Sequence, residues 1–130
     1  MDINVLNECN SLSLAGKITF PEVVMKLAAA GTERYIADLA GLRKLYYGIN
    51  GEIHIGSLAF DASAINPVFN STEVKNTIKD IQQQKINYRT FLHRIMEAGC
   101  CHYEVFLKGS QAVYFGRDGS QHIELFPKAK

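Results

Sequence analysis

Charge of one sign is what this chain most lacks. Lys and Arg number 14 against 13 Asp and Glu, a formal net charge of +1. No global field is therefore available to recruit nucleic acid or an anionic membrane, and neither is expected as a partner. Long apolar runs are missing as well: none approaches the roughly 20 residues that a membrane-spanning helix needs. The opening stretch MDINVLNECNS has no basic n-region and no apolar h-region, so no secretory signal is expected in it. Cysteine is scarce and without metal or redox spacing: Cys9 stands alone, and Cys100 adjoins Cys101. On a strand those adjacent thiols would point to opposite faces. Nothing close in sequence would lower their pKa, so they read as buried or inert. A reduced, cytoplasmic protein is the expectation. There is no Walker loop, dinucleotide fingerprint, nucleophile elbow or zinc spacing, and no cofactor is implied.

What is present is enough apolar material for a core. Of 130 residues, 47% are hydrophobic, which excludes wholesale disorder and fits one domain over 1–130. That domain is written twice. Shifted by 68 residues, 18–55 align with 86–123 without a gap, and 11 of the 38 positions are identical. Ordinary composition would give roughly two or three. The identities include Gly31/Gly99, Tyr35/Tyr103, Leu39/Leu107, Tyr46/Tyr114, Gly51/Gly119 and His54/His122. Two copies are too few for a solenoid, so a pseudo-twofold single domain is expected.

Each copy parses alike. Thr19-Phe-Pro-Glu22 is a capping box with Pro in the first turn, and Val23, Val24, Leu27 and Ala28 follow at helical spacing to a stop at Gly31. In the second copy Asn87 is the cap, Tyr88, Phe91, Leu92, Ile95 and Met96 form the stripe, and Gly99 ends it. A further helix precedes each: roughly 2–14, with Ile3, Leu6 and Cys9 inward, and about 71–84, capped by Asn70-Ser-Thr-Glu73, with Val74, Ile78 and Ile81 inward. After each Gly stop, three strand patterns follow. The spacing therefore predicts an α+β fold: a tandem duplication of a helix-helix-three-strand unit, forming an antiparallel sheet of about six strands with four helices on one face. The copies are expected over 1–57 and 70–127, joined by a linker at 58–69.

Asn50-Gly51 and Asp118-Gly119 read as two-residue type I′ hairpin turns. That register puts Tyr47 opposite His54 and Phe115 opposite His122. With two-residue first turns, Tyr35 pairs with Tyr46, Tyr103 with Tyr114, and Asp38 with Arg43. One face then carries Tyr35, Ala37, Leu39, Tyr46, Ile53 and Ile55, together with Tyr103, Val105, Leu107, Ala112, Tyr114, Ile123 and Leu125, for the helices to cover. The other face is mixed: Ile36, Asp38, Arg43, Leu45, Tyr47 and His54 in copy one, and His102, Glu104, Phe106, Val113, Phe115, His122 and Glu124 in copy two. An exposed apolar patch of this kind marks an interface or a ligand surface. His54 and His122 with Tyr47 and Phe115, and Glu104 or Glu124 beside them, are the candidate ligand-binding residues. Imidazole and carboxylate can hold a metal or shuttle a proton. The alternative is that each His only stacks on its cross-strand aromatic partner and stabilises the hairpin.

The copies differ in charge: residues 1–67 hold five basic and seven acidic residues, residues 68–130 nine and six. Lys75, Lys79, Lys85, Arg89 and Arg94 make the second helix pair basic. A solvated face accounts for this; head-to-tail association or weak nucleic-acid contact is the sharper reading.

The stretches FPEVV, AGTERYIADL, YYGINGEIH, EAGCCHYEVFL and VYFGRDGSQHIELFP resemble the YbcV-like proteins, over nearly the whole length. These are small bacterial proteins of unknown function, some prophage-encoded, often labelled phage envelope protein. The resemblance implies an α+β fold and no established activity, and it carries no catalytic residues across. Two function classes follow from the residues. One is a non-catalytic binding or regulatory module, dimeric through the mixed sheet face. The other is a small metal- or ligand-binding enzyme centred on His54 and His122.

Overall fold

The computed structural model describes residues 1–127. Its elements follow the expected doubled order: α1 (Ile3–Leu14), α2 (Phe20–Ala29), β1 (Thr32–Asp38), β2 (Arg43–Gly48) and β3 (Ile53–Ser57), then α3 (Ser71–Gln82), α4 (Tyr88–Glu97), β4 (Cys100–Phe106), β5 (Gln111–Gly116) and β6 (Gln121–Leu125). The strands form one antiparallel sheet in the order β3-β2-β1-β4-β5-β6. The two copies meet at the centre, β1 against β4, and each ends at an edge.

The helix starts are where the caps put them. Thr19 and Glu22 exchange both bonds of a capping box, and the side chains of Asn70 and Asn87 accept from the backbone N–H groups of Glu73 and Thr90. In α1, Leu6 and Cys9 are buried, whereas Ile3, expected inward, is 39% exposed. The helices cover a single face of the sheet. Leu6, Leu27, Val74, Ile78, Phe91, Leu92, Ile95 and Met96 pack there on Tyr35, Ala37, Leu39, Tyr46, Tyr103, Val105, Ala112 and Tyr114.

The central pairing shows how the duplication is arranged. Ile36 lies opposite Glu104 across β1 and β4, and these two residues are equivalent under the 68-residue shift. A local twofold normal to the sheet therefore passes between them. The linker is packed rather than loose: Leu58 is fully buried, and Asn66 and Asn70 donate backbone bonds to the carbonyls of Met96 and Ala98.

The first hairpins pair as expected, with Tyr35 opposite Tyr46, Asp38 opposite Arg43 and Tyr103 opposite Tyr114. The second hairpins do not. Tyr46 lies opposite His54 and Tyr114 opposite His122, one residue from the expected register. The cause is the loop. Gly48 N–H donates to Glu52 O at 2.8 Å and Gly51 N–H to Gly48 O at 3.1 Å, closing a three-residue loop with only Gly51 at positive φ (+84°). Residues 116–120 repeat this with Gly119 at +88°. The three-residue loop, a type I turn followed by a left-handed glycine, uses the same Asn-Gly and Asp-Gly dipeptides as the two-residue turn.

A slip of one residue inverts every side chain of a strand. His54, His122 and Glu124 therefore face the helices, not the open side. Ile53, Ile55, Ile123 and Leu125, expected under the helices, stand on the open face at 63, 56, 56 and 68% exposure.

Candidate functional site

The sequence-derived residues divide between two sides of the sheet. On the open face, Arg34 of β1 reaches diagonally to Glu104 of β4, Nη1 to Oε2 2.9 Å, with its guanidinium 3.9 Å above the Tyr47 ring. Beside them His102 stacks flat on Phe115, centroids 4.5 Å apart. On the helix side, His54 stacks on Tyr46 and its Nε2 is 3.3 Å from Asn7 Oδ1. His122 Nε2 is 2.9 Å from Glu124 Oε1. Neither imidazole has Tyr47 or Phe115 as its cross-strand neighbour. The two are also far apart, because β3 and β6 are opposite edges of the sheet. Five strand spacings separate them, roughly 24 Å. The topology does not bring the duplicated histidines to one place. Among the described residues no group of three or more His, Cys, Asp or Glu could hold a metal ion.

The adjacent thiols sit at a β-bulge, where the pairing shifts between Cys100 and His102, so the expected alternation of faces does not apply to them. Cys100 is fully buried and burial pushes its thiol up to about 12; Cys101 is half-buried, also raised by burial, with Sγ 3.4 Å from Phe115 O.

A substantial concavity lies elsewhere, between the sheet and the ends of the helices. It has a volume of about 810 Å³. Tyr35, Lys44, Tyr103, Ala112 and Tyr114 form its floor; Phe20 and Val23 of α2, Ile78 and Ile81 of α3, and Tyr88 and Phe91 of α4 form its walls, with Phe126 at one end. The sequence produces this gap because the helices stop short. α3 ends at Gln82 and a turn through Gln84, at φ +58°, leads to α4, while Gly16, at φ +69°, turns the chain from α1 towards α2.

Four tyrosines give the cavity its chemistry. Tyr88 and Tyr103 share a hydroxyl–hydroxyl hydrogen bond of 2.5 Å. The Tyr35 and Tyr114 hydroxyls make no hydrogen bond among the described residues, yet neither is sealed from solvent-sized space. Burial, with the neighbouring Tyr88 next in effect, raises the pKa of Tyr35 and Tyr103 well above the phenolic value; burial raises Tyr114 too. Tyr35, Tyr103 and Tyr114 therefore remain neutral hydroxyls near pH 7.

Lys44 is the residue the sequence reading missed. It sits on β2 between Ala37 of β1 and Gly56 of β3, so its stem points to the helix side. It is 5% exposed. Its Nζ lies 4.8 Å from the Tyr88 ring centroid and 5.7 Å from that of Tyr35. Among the described residues it has neither ion pair nor hydrogen bond. Lysine is almost never buried without a partner, because its ammonium gives up hydration. A signal was present in the duplication: the residue equivalent to Lys44 is Ala112. The architecture is satisfied by a methyl group there.

Comparison with known proteins adds a family and no activity. No curated protein matches the chain. A family model described as "Protein of unknown function (DUF1398)" matches residues 59–124, which is just over half of the chain and runs from the linker through the second helix-helix-three-strand copy into its last strand. The chain belongs to that family.

Proposed function

We propose that the protein is a non-catalytic binding module that takes up a small molecule between its helices and its sheet. The observation that carries this is the cavity of about 810 Å³, within the roughly 300–1,000 Å³ of small-molecule sites and built as they are, with mostly apolar walls and a few polar groups. The two histidines, at opposite edges and each engaged by its own neighbour, give no support to a shared catalytic centre. The proposal also keeps a single domain of two copies over 1–57 and 70–127, a cytoplasmic setting and the YbcV-like, prophage-associated kinship that the sequence motifs suggest. The test is a titration with N-phenyl-1-naphthylamine, a neutral fluorophore that brightens in apolar cavities. Saturable one-to-one binding is expected, abolished by Ala112→Phe, which fills the floor. Binding unchanged in a folded Ala112→Phe protein would place the probe elsewhere and end the reading.

A second reading concerns the open sheet face, where Ile53, Ile55, Ile123 and Leu125 are more than half exposed. We propose a second copy of this chain as its occupant. Six strands of about five residues cover roughly 30 by 17 Å in plan. With side-chain relief this is on the order of the roughly 800 Å² per partner of a stable interface. The face also carries both signs of charge at its centre, in Arg34 and Glu104, as a self-complementary surface requires.

A further inference from the structure

We propose that the cavity selects ligands bearing one anionic group, a carboxylate or sulfonate on an aromatic or apolar body, and that Lys44 is the residue that binds that group. The inference rests on the cavity being a binding site and adds what it recognises.

Three observations converge on it. The first is Lys44 itself, a residue only 5% exposed that lines the cavity and has no counter-ion among the described residues. Leaving an ammonium desolvated and unpaired costs several kcal/mol unless a ligand or water restores its contacts. The Tyr35 and Tyr88 ring faces supply part of that restoration, but a ring quadrupole is a weak substitute for a carboxylate.

The second is the charge around the cavity. Its carboxylates are already engaged: Glu22 accepts from the Thr19 N–H and hydroxyl, and Glu124 faces His122. Its cations are not: Lys17, Lys44 and Lys85 have no ion pair among the described residues. The lining thus carries three ammonium groups against two carboxylates, and Lys44 is the most buried of the three. Tyr35, Tyr103 and Tyr114 stay neutral, so none of these three offsets the excess.

The third is the duplication. Lys44 corresponds to Ala112, and Ala112 lies in the same cavity floor, 5% exposed, at the place equivalent by the local twofold. One half of the floor offers a cation and the other a methyl group. A ligand with one anionic end and one apolar end matches that polarity. The aromatic rings of Tyr88, Tyr103, Phe91 and Tyr114 lie along the path between them, and flat bodies pack well on such surfaces.

The experiment compares two probes of the same ring skeleton, 8-anilinonaphthalene-1-sulfonate and neutral N-phenyl-1-naphthylamine, on the full chain. The sulfonate is expected to bind about tenfold or more tightly than the neutral probe, the usual worth of a buried charge-assisted contact. Lys44→Met is expected to erase that preference and leave the neutral probe bound. Lys44→Arg is expected to keep it. Equal affinity of both probes for the wild-type protein overturns the anion assignment while leaving the cavity reading in place. That measurement needs no variant to fold. A preference that survives in a folded Lys44→Met protein overturns the role of Lys44. Failure of both probes to bind, or binding of both unchanged in Ala112→Phe, removes the cavity reading and this inference with it.

Discussion

Tyr88 and Tyr103 hold one another by their hydroxyls, 2.5 Å apart, one from the first turn of α4 and the other from the middle of β4. The bond ties a helix to the strand beneath it inside an otherwise apolar layer. Tyr103 is 3% exposed, so its hydroxyl depends on this partner. Tyr88→Phe is expected to cost about 1 kcal/mol in urea denaturation, the usual net worth of a buried hydrogen bond whose partner is orphaned. Tyr88→Phe with Tyr103→Phe should cost clearly less than the two single changes added, since neither hydroxyl is then left alone. Additive losses would show that the pair contributes no coupling.

Two glycines, one from each copy, should respond very differently to alanine. At Gly51 an added Cβ meets nothing within 4 Å, and the only penalty is the positive φ of +84°. Gly51→Ala should cost about 1–2 kcal/mol, the left-handed penalty alone. Gly99 has a similar φ, +92°, but its Cβ would lie 2.3 Å from Val68 O and 2.8 Å from Phe69 Cα. The linker backbone cannot yield there without losing the Asn70–Ala98 bond that starts α3. Gly99→Ala should cost at least twice as much, on the order of 4 kcal/mol or loss of folding. Equal midpoints for the two variants would contradict the close packing of the linker on Gly99.

Acid should weaken the contact between α3 and α4. Arg94 Nη1 is 2.7 Å from Asp80 Oδ2, and that hydrogen bond holds the Asp80 carboxyl below its ordinary 3.8. A carboxyl depressed in the folded state contributes stability that is present above the unfolded value and lost as pH falls through the lower folded one. The urea midpoint should therefore fall as pH is lowered from about 5 to about 3. Asp80→Asn should show a lower midpoint at pH 7 and a shallower decline on acidification. An identical acid profile in wild type and variant would remove Asp80 from the account.

The open face yields a prediction about mass. Sedimentation equilibrium at tens of micromolar, the range in which moderate interfaces saturate, is expected to return a dimer. Ile55→Lys with Ile123→Lys should return a monomer with nearly unchanged stability, because both side chains are already 56% exposed. A wild-type monomer at every concentration would exclude a second copy as the occupant.

The sequence disclosed most of this architecture because the fold is built twice. The caps at Thr19, Asn70 and Asn87 and the stops at Gly31 and Gly99 are local devices with local signals, and helix limits followed from them. Register across the second hairpins was not local. Asn50-Gly51 suits two loops that differ by one residue, and nothing in the dipeptide chooses between them. Alternation did not decide it either, because Ile53-His-Ile55 and Gln121-His-Ile-Glu-Leu125 place apolar residues where an open apolar face accepts them. His54 and His122 thus moved to the helix side. The cavity was illegible for another reason: it depends on where α3 ends relative to the sheet, which no single stretch encodes. Lys44 was the exception, since a charge opposite Ala37 on the covered face, with Ala112 in the other copy, was there to be read.

The pairing of Ile36 with Glu104 at the local twofold has a consequence for how two copies could meet. A sheet that resembles itself after a half-turn can stack on another such sheet in two orientations of almost equal shape. Apolar contact area would then hold the pair together without saying which way round. The choice falls to the few central positions at which the copies differ: Ile36 against Glu104, Arg34 against His102 and Asp38 against Phe106. In such an assembly the polar centre of the face would govern orientation, and the isoleucines and leucine towards its edges would govern strength.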